Sequence, residues 1–591
     1  MFENVIMPLP EYDQGMGPTD SYGLVVAFPF RAAGAAKQFW ANTQIGSDTY
    51  NGKSPYPGFR LNGTGPDYQY GATGPGVADP LFGPKATYVG LVSVRNQNAG
   101  NQYFMAEGQT FLCDPNYLNA QACGYSVQFP TTIQSYDPAD PLNIYKHGRA
   151  GLPGRGARPE LWRTLNNGSF PGVGRGDAVS YDNWAIRGIA FRSGNGQTYA
   201  KLGFLASQNN LLIENCIFDN VQVILDNGNV NPGFEINHNN IFRRNASYGQ
   251  WDEASHACGI HSRDTWLTVE DNVFYHNGWK IGVTRDEPVA TGGPDIYKHC
   301  LYITNGSGTS TTVRRNMVMD GSAGGLSMRG SHVAYHNVII DCPTPEIKSG
   351  GVNSDNDNPQ GVDQLSWSNL IIGGSGITSK APRAGGFACS GGTTASFCKF
   401  SLWINQPGRG GPNNLWLEAK STTTDVMTYV SFEGNRAYNW CPDNKRLVRS
   451  VQSPGVLEHI FVLADVDNQL IDQSPMTTPQ LYASIGFASK DDMVAQMIAD
   501  PTKDWAYLLL KAASVGFNHN FSRMIGATRT FDYSLVQDLK TRVTGVTFDL
   551  GIMPDESTAI FADQASEDAM MGGLSSMSAN LDAILTGAVR P

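Results

Sequence analysis

Titratable and aromatic residues concentrate in one part of the chain, and seven of its ten histidines fall between positions 238 and 336. Elimination at a uronic acid needs a base that removes the proton beside the carboxylate and a cation that stabilises the charge formed there. The segments DIYKHCLYI and GGLSMRG carry residues of these types. The predicted catalytic residues are Asp295, Lys298, His299, Tyr302 and Arg329.

Hydrolysis is the alternative chemistry, because it needs two carboxyl groups flanking the bond, one protonated and one ionised. Asp252 or Glu253 could pair with Asp286, Glu287 or Asp295 for this purpose. Aromatic, basic and acidic residues of the same region are predicted to bind a sugar chain. They are Trp251, Asp252, Glu253, His276, Trp279, Lys280 and Arg285. The residue types alone leave elimination and hydrolysis both open.

A short pattern recurs in which one residue, usually asparagine, precedes two apolar residues. It occurs in IENCIF, NHNNIF, VEDNVF, VRRNMV, AYHNVI and SWSNLI, with the first residue at Cys216, Asn240, Asn272, Asn316, Asn337 and Asn369. A unit of about two dozen residues made of short strands cannot bury its own apolar face, but stacked units share a core. The repeat predicts a solenoid of β-strands whose asparagines sit at sharp turns, adopt left-handed backbone and hydrogen-bond to one another.

The chain resembles the right-handed parallel β-helix superfamily of pectate-lyase-like enzymes and phage tailspikes over roughly residues 38 to 375. The motifs that carry the resemblance are QFWANTQIGSDTYNGKSP, AEGQTF, TTIQSYD, GARPELW and NWAIRGIAF. The resemblance implies an all-β, right-handed parallel β-helix solenoid with long loop insertions. It identifies a fold rather than a reaction, because this fold carries lyases, hydrolases, epimerases and adhesive proteins.

The segments YITNGS and GGLSMRGSHVAYHN are similar to an alginate-lyase arrangement in which a lysine follows an asparagine and an arginine lies one coil later. Arg329 matches the arginine, whereas Gly306 and Gly330 stand at the lysine and histidine positions. Lys298 or His299 would have to replace the missing base.

We expect three regions: an N-terminal arm or attachment segment (1–37), the β-helix with its loops (38–424, regular from about 183 to 375) and a mixed α/β C-terminal domain (425–591). Two helices are predicted within residues 489–517, with Ser489 as the first N-cap and Pro501 opening the second helix. An apolar stripe from Met570 to Leu585 predicts a helix that docks on its own chain or assembles with copies.

Composition and short sequence features restrict the classes of partner and cofactor that the chain is expected to bind. A net charge of -11 and a pI near 5.4 disfavour nucleic acid. The N-terminus has no signal-peptide pattern, and no apolar run is long enough to cross a membrane. Nine cysteines indicate reduced, buried thiols, with Cys113–Cys123 and Cys389–Cys398 as alternative bridges. No cofactor is predicted with certainty; calcium held by SDNDN (354–358) is an alternative to a solvated loop.

These observations favour a protein that recognises and degrades a polysaccharide. The setting suggested by the resemblance is a phage tailspike-like depolymerase, which would be a homotrimer located on the virion or outside the cell in contact with other virion proteins. The alternatives are a secreted polysaccharide lyase whose signal has been removed, and a non-catalytic structural or adhesive protein of a virion or cell surface.

Overall fold

The computed structural model describes the chain between residues 38 and 496. Within that span the longer stretches outside the description are 63–71, 94–100, 114–130, 165–169, 171–181, 195–199, 227–236, 305–309, 351–361, 373–386, 405–427, 439–459 and 472–482. The chain divides into two compact units between Thr268 and Val269, named here the N-terminal unit and the C-terminal unit. This division falls inside the region predicted as one β-helix, whereas the predicted arm 1–37 lies outside the described residues.

The N-terminal unit consists mainly of short strands. They are β1 (Gln38–Ala41), β2 (Phe59–Leu61), β3 (Pro75–Ala78), β4 (Gln102–Ala106), β5 (Thr110–Leu112), β6 (Thr131–Tyr136), β7 (Glu160–Arg163), β8 (Trp184–Arg187), β9 (Ala190–Ser193), β10 (Ala200–Phe204), β11 (Leu211–Glu214), β12 (Ile217–Asp219), β13 (Val221–Asp226), β14 (Asn237–Arg243), β15 (Ala246–Tyr248) and β16 (Ile260–Arg263). One short helix, α1 (Tyr88–Ser93), lies between β3 and β4. Strand β17 (Thr265–Glu270) crosses the division between the units.

These strands form three parallel sheets. Sheet A contains β1, β4, β6, β8, β11 and β14, sheet B contains β10, β13 and β16, and sheet C contains β5, β7, β9, β12 and β15. From β8 onward the chain visits sheets A, C and B in turn, so each coil supplies one strand to each sheet. The hairpin of β2 and β3 is antiparallel and belongs to none of them. The N-terminal unit is therefore a parallel β-solenoid.

The C-terminal unit repeats this arrangement. Its strands are β18 (Val273–Tyr275), β19 (Leu301–Thr304), β20 (Ser310–Arg314), β21 (Met317–Met319), β22 (Leu326–Arg329), β23 (Ser331–Tyr335), β24 (Val338–Ile340), β25 (Ile347–Gly350), β26 (Val362–Trp367), β27 (Leu370–Ile372), β28 (Phe387–Cys389), β29 (Thr393–Lys399), β30 (Leu402–Ile404), β31 (Thr428–Glu433), β32 (Arg436–Tyr438), β33 (Ile460–Val466) and β34 (Gln469–Ile471). Sheet A′ contains β20, β23, β26, β29, β31 and β33, sheet B′ contains β19, β22, β25 and β28, and sheet C′ contains β18, β21, β24, β27, β30, β32 and β34. Parallel pairing continues through β31 to β34 and thus beyond residue 424, where we expected the β-helix to end.

Asparagine side chains link successive coils of the C-terminal unit. The Nδ2 of Asn272 donates to Oδ1 of Asn316 at 2.9 Å, Asn316 donates to Asn337 at 3.0 Å, and Asn337 donates to Asn369 at 3.0 Å. The Oδ1 atoms of Asn316, Asn337 and Asn369 also each accept the backbone N–H of the asparagine one coil earlier. All four residues are almost fully buried. The predicted hydrogen-bonded column of asparagines is confirmed, and it satisfies backbone groups that would otherwise be buried without a partner.

We name the column of hydrogen-bonded side chains the amide ladder, and the positions that its residues occupy the ladder positions. In the N-terminal unit Cys216 and Asn245 occupy ladder positions. Cys216 N–H donates to Oδ1 of Asn245 at 2.8 Å, and the Asn245 amide donates to Ile213 O at 3.0 Å. The Cys216 thiol donates to Ile186 O and Glu214 O, as an asparagine amide does elsewhere. Burial raises the pKa of this thiol to about 12, so it stays a donor.

Asn240, which we placed in the repeat, is a residue of β14, where its Oδ1 accepts Leu211 N–H at 3.1 Å. The assignment was wrong because the true ladder residue, Asn245, precedes Ala246 and Ser247 rather than two large apolar residues. The left-handed backbone was also misplaced. It occurs one residue earlier, at Asn215 (φ 57) and Arg244 (φ 56).

A buried ionic column runs two residues before the ladder position. Arg187 Nε donates to Oε2 of Glu214 at 3.0 Å, and Arg243 Nε donates to Oε1 of the same carboxylate at 2.8 Å. In the C-terminal unit Arg314 Nε donates to Glu270 at 2.7 Å and Arg314 Nη1 to the Tyr335 hydroxyl at 2.9 Å. Strand register aligns Glu214 with Arg187 and with Arg243, and Arg314 with Tyr335.

The described residues beyond the strands are few. Asp492 N–H donates to Ser489 Oγ at 3.1 Å, which confirms the predicted N-cap, and Asp492 and Gln496 are helical. The second predicted helix, the stripe from Met570 to Leu585 and the SDNDN loop lie outside the described residues. Within the described part, no helix has the length and apolar character needed to cross a membrane.

Replacing Asn316 with alanine should lower the stability of the C-terminal unit. The change removes the side-chain acceptor of Asn272 and one of the two donors to Asn337 in a buried site, which should cost about 3 kcal/mol. The midpoint of urea unfolding measures the effect. Asn62→Ala is the control, since the side-chain amide of this exposed asparagine donates to Thr73 at 3.3 Å at the protein surface. Equal midpoints for the two variants would contradict a structural role for the ladder.

Candidate functional site

Four of the five predicted catalytic residues lie on the segment that leads into β19 and on β19 itself. Leu301 and Ile303 are fully buried, whereas Tyr302 and Thr304 are half-buried. Side chains alternate between the two faces of a strand, so Tyr302 points away from the core. The strand thus presents the Tyr302 phenol at the outer face of sheet B′.

His299 lies directly against Tyr302. The two rings stack with their centroids 5.1 Å apart and their planes 12° apart. His299 is 5% exposed and the neighbouring Lys298 is 2% exposed, so both lie beneath the surface. The structure therefore brings together a tyrosine at the surface and an imidazole in the layer below it, and the residue before this histidine is a buried lysine. We name Lys298, His299 and Tyr302 the Tyr302 cluster.

Asp295 shapes the turn before this cluster. Its backbone N–H donates to Ser322 Oγ at 2.5 Å, and Ser322 Oγ donates back to Asp295 O at 3.0 Å. The Asp295 carboxylate accepts Tyr297 N–H at 3.2 Å, which is the pattern of an Asx-turn. These contacts favour a positioning role for Asp295, which we predicted to be catalytic.

Arg329, the fifth predicted catalytic residue, ends β22 beside β19. In the register of the two strands Tyr302 pairs with Ser327 and Thr304 with Arg329. Residues two apart share a face of a strand, so position 329 lies on the same face of sheet B′ as Tyr302. The side chain of Arg329 lies outside the described part of the structure.

His276 and Trp279, predicted to bind substrate, form a buried corner. His276 has left-handed backbone (φ 53), and its Nδ1 lies 2.8 Å from Oδ2 of Asp320, which occupies the equivalent corner of the next coil (φ 54). The Trp279 ring stacks on His276 at 4.1 Å, and its Nε1 donates to Asp320 O at 2.8 Å. His276 and Trp279 are only 7% and 5% exposed, so they join coils rather than line a surface.

The other predicted binding residues are spread over both units. Lys280 is half-buried and donates its backbone N–H to Gly292 O at 2.9 Å, at the base of a loop that contains a short 3-10 turn (Val289–Thr291). Trp251 is half-buried and Asp252 is 8% exposed in the N-terminal unit. Glu253, Arg285 and Asp286 lie outside the described residues. The predicted binding residues that the structure describes are therefore divided between the two units, and neither unit contains all of them.

The N-terminal unit has a group of charges that sequence reasoning only partly found. On sheet B, register pairs Ile224 with His261 and Asp226 with Arg263. Burial lowers the pKa of His261, against an opposing effect of Asp226, while Lys201 and Arg263 add to the lowering. His261 is therefore neutral at physiological pH. The alternation in VQVILD (221–226) was the sequence signal that could have revealed this group of charges, because it places Asp226 at a half-exposed position of a strand.

Metal binding has no support among the described residues, because no three His, Cys, Asp or Glu side chains there come together as a metal site. Cys113, Cys216, Cys258, Cys300 and Cys342 are free thiols in buried positions. Sequence reasoning also missed a polar cluster around Arg192 on sheet C, described below.

Comparison with known proteins adds little. No protein-family model and no curated protein match the chain. Among solved structures, the chain is similar to the alginate lyase from Paenibacillus sp. str. FPU-7, with 13% identity and a TM-score of 0.29 over 66% of this chain and 96% of that chain. So loose a superposition carries no argument about activity. The class of the protein, an all-β parallel solenoid, rests on its own strand pairing.

Truncation of Trp279 should act on stability. Trp279→Ala removes a buried indole and its hydrogen bond to Asp320, and should destabilise the C-terminal unit by about 4 kcal/mol. Tyr297→Ala is the control, because Tyr297 is 57% exposed and its loss should cost less than about 0.5 kcal/mol. Urea unfolding followed by circular dichroism measures both. An unchanged midpoint for Trp279→Ala would contradict the buried placement of the indole.

Proposed function

We propose that the protein degrades an acidic polysaccharide by β-elimination at the Tyr302 cluster. The observation that carries the proposal is the stack of the half-buried Tyr302 on the buried His299, next to a buried lysine. A phenol, an imidazole and an ammonium are groups that transfer protons or stabilise a carboxylate-linked anion. Burial of charged and polar groups strengthens such electrostatic effects.

In the proposed reaction a base removes the proton on the carbon beside the uronate carboxylate. The electron pair left there forms a carbon–carbon double bond as the glycosidic C–O bond breaks, and the leaving oxygen takes a proton. Tyr302, as its phenolate, takes the proton from the carbon and then gives it to the leaving oxygen, because its position reaches the outer face of the strand. His299, stacked behind it, positions the phenol, and a cation at position 298 or 329 stabilises the anion.

Hydrolysis has less support from the described residues. Of its five candidate carboxylates, that of Asp295 accepts the backbone N–H of Tyr297 and so forms part of a turn. Glu253 and Asp286 lie outside the described residues. We therefore favour elimination.

The biological setting remains a prediction from the sequence. We propose a tailspike-like depolymerase that assembles as a trimer on a virion, with a secreted lyase and a non-catalytic adhesin as the alternatives. Light scattering separates a 64.0 kDa monomer from an assembly of three chains. Turnover separates the enzymes from the adhesin.

Tyr302→Phe should abolish turnover while leaving the fold intact. Loss of a proton-transferring group slows catalysis by about 100-fold or more. The assay incubates the protein with alginate, polygalacturonate and bacterial capsular polysaccharides, and records the ultraviolet absorbance of unsaturated uronate together with reducing ends. Tyr297→Phe is the matched control, because it removes a nearby hydroxyl from an exposed tyrosine.

Three results would contradict this proposal. Equal turnover by Tyr302→Phe and the unchanged chain would remove Tyr302 from the reaction. Reducing ends without ultraviolet absorbance would indicate hydrolysis. If the folded protein produced neither ultraviolet absorbance nor reducing ends from any polysaccharide of the panel, the non-catalytic adhesin would be favoured.

A further inference from the structure

The outer face of sheet C in the N-terminal unit carries a line of aromatic and charged side chains. Strand register places Trp162 beside Arg192, Arg192 beside Asp219, and Asp219 beside Tyr248. The residues that directly precede Trp162, Arg192 and Asp219 point inward. They are Leu161, Phe191 and Phe218, and all three are fully buried. We name Trp162, Arg192, Asp219 and Tyr248, together with Glu160, the Arg192 face.

One guanidinium holds two carboxylates on this face. Arg192 Nε lies 2.9 Å from Oε1 of Glu160 as an ion pair without hydrogen-bond geometry, and Nη1 donates to Oδ2 of Asp219 at 2.8 Å. The same Nη1 lies 3.4 Å from the Tyr248 hydroxyl, which also bonds to the Asp219 carboxylate. The side chains of Arg192, Glu160 and Asp219 are 26%, 32% and 28% exposed. The carboxylates are thus fixed in place yet remain open to solvent.

Trp162 adds an aromatic surface at one end of the line. Its indole lies against Gly194, where an added Cβ would meet three ring atoms at 2.8 to 2.9 Å. The glycine lets the ring pack against the backbone, while the side chain stays half-buried. At the other end, burial raises the pKa of Tyr248 to about 12, so its phenol stays neutral and keeps donating to the Asp219 carboxylate.

A structural role alone accounts poorly for this arrangement. Ion pairs exposed to this extent contribute only about 0 to 1 kcal/mol each, and the buried ionic column and amide ladder already link the coils. An aromatic platform next to fixed acceptors is the usual composition of a sugar-binding surface, because pyranose C–H groups stack on the ring and hydroxyl groups donate to carboxylates.

The charge of the face selects among sugars. Glu160 and Asp219 are two acids against the single base Arg192, so the face carries a net negative charge that repels polyuronates. The strand spacing of about 4.8 Å is close to the length that one pyranose ring adds to an extended chain, so several rings can follow the line from Trp162 to Tyr248. We propose that the Arg192 face binds a neutral oligosaccharide.

This site is independent of the proposed elimination. It lies in the other unit, selects neutral rather than acidic sugars and requires no turnover. Binding is therefore measured with the full-length Tyr302→Phe variant, so that failure of one proposal leaves the other intact.

Isothermal titration of maltopentaose, cellopentaose and mannopentaose, with pentagalacturonate for comparison, tests the proposal. At least one neutral pentasaccharide should bind, and Trp162→Ala and Asp219→Asn should each raise its Kd about tenfold. Trp266→Ala is the matched control, since this half-buried tryptophan lies on β17 outside sheet C, and its Kd should stay within about twofold of the parent.

A second variant covers the case in which Trp162→Ala unfolds. Gly194→Ala keeps the indole but places a methyl group within 2.9 Å of it, so the ring must move and the Kd should rise about threefold or more. Thermal unfolding confirms that each variant is folded. Binding of none of the three neutral sugars, tighter binding of pentagalacturonate, or an unchanged Kd in both Trp162→Ala and Gly194→Ala would overturn the proposal.

Discussion

The hydrogen-bonded amide ladder is the interaction on which the rest of each solenoid depends. A coil that turns sharply between short strands leaves backbone groups buried at the corner, and these need partners from neighbouring coils. Asn316 supplies them for Asn272 and takes its own from Asn337. Because each amide bonds to the coil on either side, the ladder fixes the register of every strand that follows it.

Register in turn determines which residues meet at the surface. The pairing of β19 with β22 brings positions 302 and 329 to one face, and the pairing of β9 with β12 sets Arg192 beside Asp219. A shift of one residue would turn these side chains into the core. Both candidate sites are therefore assembled by backbone pairing, with side-chain contacts such as the stack of His299 on Tyr302 refining their geometry.

The sequence predicted the ladder because polar residues at corners recur at readable intervals, but the apolar-pair rule was too narrow. It selected Asn240 over Asn245, and it ended the repeat at 425 although Asn435 and Asn468 directly precede β32 and β34. Burial of His276 was not predictable, since it depends on Asp320, which is 44 residues away. The alternation of Glu214, Arg243, Glu270 and Arg314, each two residues before a ladder position, was visible in the sequence and was missed.

The two columns place different limits on how such a chain can change length. The amide ladder of the C-terminal unit does not depend on the number of coils, since each of its links joins one asparagine to another. The ionic column does depend on it, because removal of the coil that contains Glu214 would leave Arg187 facing Arg243 in the interior. Where charges alternate, coils can be gained or lost only in pairs, so this part of the solenoid has a parity as well as a repeat.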